Sequence, residues 1–156
     1  MEKDITVRNY RDSDWPIVCA IHDAARQIEL SAAQVSDAAF APLQKCHMAE
    51  GFFSNRIILA ECLESRTVKG FAAFRPRQLT WLYVSPDYFG EGIGQCLIRY
   101  VMDNTERPLD VQMLDGNKPA QRLYEFMGFK PFKRTKGKIH GKRPVNASGL
   151  TLRLNH

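Results

Sequence analysis

The 156-residue sequence has no uninterrupted apolar stretch near the roughly 18 residues needed to span a bilayer, so a helical membrane protein is excluded. Cysteine is sparse, and Cys19, Cys46, Cys62 and Cys96 form no C-x2-C pair. His22, His47, His140 and His156 are equally scattered. That spacing speaks against a zinc site or a disulfide framework, so no metal is expected, and free thiols in a reducing cytoplasm are the simpler account. The first ten residues, MEKDITVRNY, are charged and strand-like and show no secretory signal. No segment is of low complexity and none repeats. With 44% apolar and 25% charged residues, the chain reads as a single globular domain spanning 1–156.

Charge is unevenly placed. Between Lys118 and Arg143 nine basic residues stand against Glu125 alone, a local +8. The whole chain carries +5, so the remainder is at −3. Such a basic segment fits either a solvated hairpin or a phosphate-bearing partner.

Periodicity predicts strands at Ile5–Asn9, Arg56–Leu63, Val68–Arg75, Leu79–Val84 and Leu109–Leu114, with a closing pair at Phe129–Thr135 and Asn146–Leu154 around a basic loop. Helices are predicted over Trp15–Ile28, over Ser31 to Met48 with an interruption near Pro42, over Gly92–Asn104 and over Asn117–Met127, the last stopped by Gly128. Only four residues (Glu64–Thr67) and three residues (Pro76–Gln78) join the middle strands, too few for a crossover helix, so that part of the sheet must be antiparallel. The tally is an α+β domain, a mixed but mostly antiparallel sheet of about seven strands flanked by about four helices.

The most informative stretch runs from an apolar strand at Leu82-Tyr83-Val84 through a turn and three alternate glycines, Gly90, Gly92 and Gly94, into an amphipathic helix. Glycines let backbone approach a ligand closely, and the free N–H groups of a helix start attract phosphate. The ATP-binding G-x-x-x-x-G-K-[ST] pattern is absent, and Gln95 stands where a dinucleotide fingerprint needs its third glycine.

Leu82-Tyr-Val-x-Pro-x-x-x-Gly-x-Gly-x-Gly94 resembles motif A of the GCN5-related N-acetyltransferases, the GNAT superfamily. Asn117-Lys-Pro-Ala-Gln-Arg-Leu-Tyr-Glu-Phe-Met-Gly-Phe129 resembles its motif B, N-x-x-A-x-x-x-Y-E-x-x-G-F, at six fixed positions. The resemblance covers residues 56–132. It implies transfer of an acetyl group from acetyl-CoA to a primary amine of a small molecule, by direct attack in a ternary complex. By the same resemblance, Phe89, Gly90, Glu91, Gly92, Ile93, Gly94 and Gln95 would hold the CoA pyrophosphate through their amides. Leu82, Tyr83 and Val84 would pair with the pantetheine arm, Asn117 would touch that arm, and Tyr124 would act as general acid for the departing thiolate.

Two positions depart from the family pattern. Phe89 replaces the usual Arg or Gln, so a side-chain phosphate donor is missing, for which Lys118 or Arg122 could substitute. Gln78 stands where many relatives carry a glutamate, and an amide takes up no proton. His22, Glu29 and Asp87 are the candidates for the vacant base, and spacing favours none of them. Acetylation of a protein or aminoacyl-tRNA amine, or a non-catalytic acyl-CoA sensor, are the alternatives. The family also commonly forms homodimers. Apart from the tRNA alternative, neither nucleic acid nor membrane is an expected partner.

Overall fold

The computed structural model describes residues 4–156. Strands are β1 (Ile5–Asn9), β2 (Arg56–Cys62), β3 (Val68–Arg75), β4 (Gln78–Val84), β5 (Leu109–Leu114), β6 (Lys130–His140) and β7 (Pro144–Leu154). Helices are α1 (Trp15–Ala32), the single turn α2 (Leu43–Cys46), α3 (Ile93–Asp103) and α4 (Lys118–Phe126). One sheet runs in the order β1-β2-β3-β4-β5-β7-β6, antiparallel except between β4 and β5. No helix among the described residues is long and apolar enough to cross a membrane.

The central strands read as unbroken apolar runs because both of their faces are covered. In β2 and β3, Ile58, Ala60, Ala72 and Phe74 pack toward α3 and α4, in a core with Leu97, Ile98, Val101 and Tyr124. The alternating partners Ile57, Leu59, Phe71 and Ala73 pack the opposite way, against Val18 and Ile21 of α1 and against Phe52.

Two expected boundaries are corrected. Ser31–Met48 is not a second helix. Ser31 and Ala32 end α1, Gln34 takes a left-handed φ of 58°, and Pro42 is extended, so only a 3-10 turn at Asp37–Ala39 and the single α-helical turn of α2 form before Met48. Pro42 has no amide hydrogen for a helical ladder, and a left-handed Gln ends α1 outright. The closing hairpin is longer than expected. Lys136 and Lys138 belong to strand, with pairing continuous from Thr135–Gly149 to His140–Pro144, and only Lys142 and Arg143 remain in the turn.

β1 is tied to the rest by Arg8. Its Nη1 and Nη2 donate to Asp14 at 2.9 and 2.8 Å, and its Nε donates to Glu61 at 2.9 Å. Both carboxylates are buried. The Arg8 hydrogen bonds hold Asp14 below its ordinary value of 3.8. For Glu61, burial pushes upward, but Arg8 and Arg66 overcome it and keep the group below 4.5. A carboxyl depressed in the native state stabilises the fold above its unfolded pKa, and that contribution is lost as pH falls through the native value. Arg8→Ala is therefore expected to cost about 2 kcal/mol in urea unfolding at pH 7, because buried Asp14 loses its ion-pair partner and buried Glu61 keeps only Arg66 at 3.4 Å. The difference from wild type is expected to shrink as the pH is lowered below about 4. A deficit unchanged at acid pH would show that lost packing, not charge, sets the cost.

Candidate functional site

β4 and β5 start side by side and then part. Their parallel pairing is confined to Gln78–Asp110 and Leu79–Val111. The cause lies in β4, where Thr80 is an extra residue between the pairs Ala73–Trp81 and Phe74–Leu79. A bulge of this kind bends its strand and increases the local twist. Thr80 Oγ1 lies 2.8 Å from both the Ala73 carbonyl and Asn55 Oδ1, which fixes the bulge to the neighbouring strand and to the turn before β2. From Trp81 to Val84 the side of β4 facing β5 has no strand partner, so its ladder groups are available to a guest.

A cavity of about 620 Å³ occupies this opening. Leu82, Tyr83, Val84, Phe89, Gly90, Gly92, Ile93, Gly94, Gln95, Asn117 and Tyr124 all line it. Glu91 does not. It faces away and pairs with Lys69 at 3.0 Å, bracing the glycine loop against β3. Lys118 and Arg122 also lie outside the lining.

The glycines do different work. Gly90 and Gly92 take left-handed φ values of 83° and 81°, and Gly92 caps the start of α3. A side chain rarely adopts that backbone. Gly94 is ordinary helix, and a Cβ there would lie 3.0 Å from Leu123, so its smallness serves the approach of α3 to α4. The amides of Gly90 through Gln95 donate to no backbone carbonyl among the described residues, and the first bond of α3 is Cys96 N–H to Gly92 O. An anion at this point would meet free donors and the positive end of the helix dipole.

Tyr124 is set by the end of α4. Gly128, at φ 103°, donates to Glu125 O, and Phe129 N–H donates to Tyr124 O at 3.0 Å, a Schellman closure. The Phe129 ring then packs on the Tyr124 ring with centroids 5.8 Å apart. The Tyr124 hydroxyl has no hydrogen-bond partner among the described residues. Burial, and secondarily the charge of Glu29, push its pKa far above the usual tyrosine value, so it stays protonated at neutral pH. Asn117 precedes α4 and is buried, with a side chain that makes no cap bond.

A second cavity of about 1000 Å³ lies beyond β4, between α1 and the β6–β7 hairpin. The hairpin tip closes over it, with Lys142 N–H donating to Ala38 O at 2.7 Å. Of the three candidate bases, His22 lines this second cavity, Glu29 lines both, and Asp87 lines neither. Gln78 also borders the second cavity and accepts from Arg75 Nη2 at 3.0 Å. The Tyr83 side chain turns toward α1, where its ring meets His22 at 5.0 Å and its hydroxyl donates to Glu29 Oε1 at 2.9 Å. Arg26 Nη1 donates to the same oxygen at 2.6 Å. Sequence reasoning missed Arg26; its place one helical turn before Glu29 was the available signal.

The family model of the acetyltransferase (GNAT) domain matches residues 54–131. No curated protein matches the sequence. Among solved structures, a GCN5-related N-acetyltransferase from Rhodopseudomonas palustris superposes with a TM-score of 0.73 at 20% identity, covering 97% of this chain and 95% of that one. The yncA protein of Salmonella typhimurium, a structure that holds its cofactor acetyl-CoA, gives a TM-score of 0.64 at 17% identity, covering 98% and 95%. The ribosomal-protein-S18-alanine N-acetyltransferase of Escherichia coli gives 0.67 at 19%, covering 97% and 95%. At these identities the likeness is one of fold.

Proposed function

Since the chain belongs to the GNAT acetyltransferase family, we propose that it moves an acetyl group from acetyl-CoA to the primary amine of a small molecule by direct attack in a ternary complex. The observation that carries this reading is the opened seam between β4 and β5, which runs straight into the unsatisfied amides at the start of α3. A long, thin molecule with a phosphate-bearing end and an amide-bearing arm matches that combination of free donors and unpaired strand edge.

When bound, acetyl-CoA supplies an acyl group already activated as a thioester. The chain's own part is to hold and to protonate. The amides from Gly90 to Gln95 would hold the pyrophosphate without a charged side chain, Phe89 having none to offer. The free edge of Trp81 to Val84 would align the arm, with Asn117 opposite. Tyr124, kept protonated, would deliver a hydrogen to the leaving sulfur. The second cavity would admit the amine from the other side of β4, so the two substrates meet without competing for space.

Isothermal titration with acetyl-CoA tests the reading, with micromolar affinity (about −8 kcal/mol) expected. Gly92→Val forces a β-branched residue into a left-handed φ, a strain of about 1–2 kcal/mol that drives the loop out of its gripping conformation. The expected affinity loss is about tenfold. If wild type does not bind, or the variant binds equally well, the glycine loop is not the phosphate site.

A further inference from the structure

We infer that Glu29 is the general base that takes the proton from the acceptor amine. This rests on the transferase reading above and adds the residue that Gln78 cannot replace.

Glu29 is the only carboxylate among the described residues to line both cavities. It therefore stands at the passage where an amine entering from the α1 side would meet an acyl group lying along β4. Its two oxygens have different tasks. Oε1 accepts from the Tyr83 hydroxyl at 2.9 Å and from Arg26 Nη1 at 2.6 Å. Oε2 has no hydrogen-bond partner among the described residues. The carboxylate is thus held in one orientation by two donors on different elements, with one oxygen left over for a ligand N–H. Burial keeps the Tyr83 hydroxyl protonated, which makes it a lasting donor.

The competing groups are worse placed. His22 Nδ1 is tied to Asp23 Oδ1 at 2.9 Å, and burial lowers its pKa, with Asp23 only partly compensating. It also borders only the acceptor cavity, as does Glu50. Asp87, in the turn after β4, reaches neither space.

An alkylammonium near pKa 10 does not release its proton to a free carboxylate near 4. The ammonium therefore loses its first proton to solvent, and the neutral amine attacks; once its lone pair is committed to the new bond, the nitrogen becomes strongly acidic and readily gives a proton to Glu29. In the proposed reaction the N–C bond forms at the acyl carbon while the C–S bond breaks. Of the two protons the ammonium loses, the first goes to solvent before attack and is the net proton released. The second passes to Glu29 after attack and balances the hydrogen that Tyr124 delivers to sulfur.

Glu29→Gln keeps the shape and removes the basicity. Wild type and E29Q are compared by acetyl-CoA titration and by thiol release between pH 6.5 and 9.5. The amine is whichever of ethanolamine, spermidine, glycinamide or a short peptide wild type acetylates. The titratable and charged groups facing Glu29 are His22 and Arg26 from α1, Tyr83 from β4, Tyr124 from α4 and Glu50 from the turn after α2. The expected result is unchanged acetyl-CoA affinity and about a hundredfold lower kcat at pH 7. That deficit is expected to shrink toward pH 9.5, as the rising hydroxide concentration takes over removal of the acidic proton from the attacked nitrogen. A deficit that stays constant with pH, or a kcat within threefold of wild type, would overturn the assignment. E29D, which withdraws the carboxylate by one methylene, provides the same test should E29Q not fold. It is expected to lose about tenfold in kcat with acetyl-CoA affinity kept, and an unaltered kcat would overturn the assignment. If wild type binds no acetyl-CoA, or releases no thiol with any of the amines, the transferase reading itself falls, and this inference falls with it.

Discussion

Tyr124→Phe is expected to lower turnover by two to three orders of magnitude while leaving acetyl-CoA affinity within threefold of wild type. Phenylalanine fills the same space, so the contact with Phe129 and the closure of α4 at Gly128 remain intact. What disappears is one O–H that no other group among the described residues engages, in a cavity wall beside the passage marked by Glu29. A thiolate leaving into an apolar pocket without a hydrogen donor is left poorly solvated, and that is where the loss of rate arises. Stopped-flow or steady-state thiol release measures it, with titration as the control for binding. Full turnover in the variant would remove Tyr124 from the chemistry and leave it a core residue.

The second large effect concerns the fold beneath the site. Phe52, fully buried in the turn before β2, contacts Trp15, Phe53, Phe71 and Trp81 with ring centroids 5.1–6.0 Å away. It is the common neighbour of α1, β3 and β4 on the face from which Tyr83 reaches Glu29. Phe52→Ala is expected to cost about 4 kcal/mol, the transfer energy of the ring plus an unfilled cavity. For a domain of this size that is a drop of roughly 10 °C in melting midpoint, measurable by calorimetry. Phe52→Leu should recover more than half of it. A fall of less than about 2 °C for the alanine variant would mean that the surrounding rings collapse into the space.

The strands on both sides of the site were legible because their signals are local. Val68–Arg75 and Leu109–Leu114 have the bounds that their apolar runs indicate. The glycine loop and the α4 segment could be read because φ > 0 and helix closure demand particular residues at fixed spacing. Residues 31–48 could not be read, because helix-forming composition continues past a break that only the left-handed Gln34 and the extended Pro42 create. The hairpin extends further than expected because pairing with β7, not the propensity of its lysines, makes β6 a strand. The separation of Glu29 from His22 and Asp87 was also beyond reach. It depends on a bulge at Thr80 and on which way Tyr83 turns, and neither leaves a mark in residue spacing.

The two rungs shared by β4 and β5 make the sheet two boards joined along a short seam, β1–β4 on one side and β5–β7 on the other. The backbone groups that could have lengthened the seam are the same ones that the proposed function offers to the acyl donor. Cohesion of the fold and reception of the ligand therefore draw on one common stock of donors and acceptors. A substitution that removed the bulge and zipped the strands together would harden the protein and shut its site in one stroke.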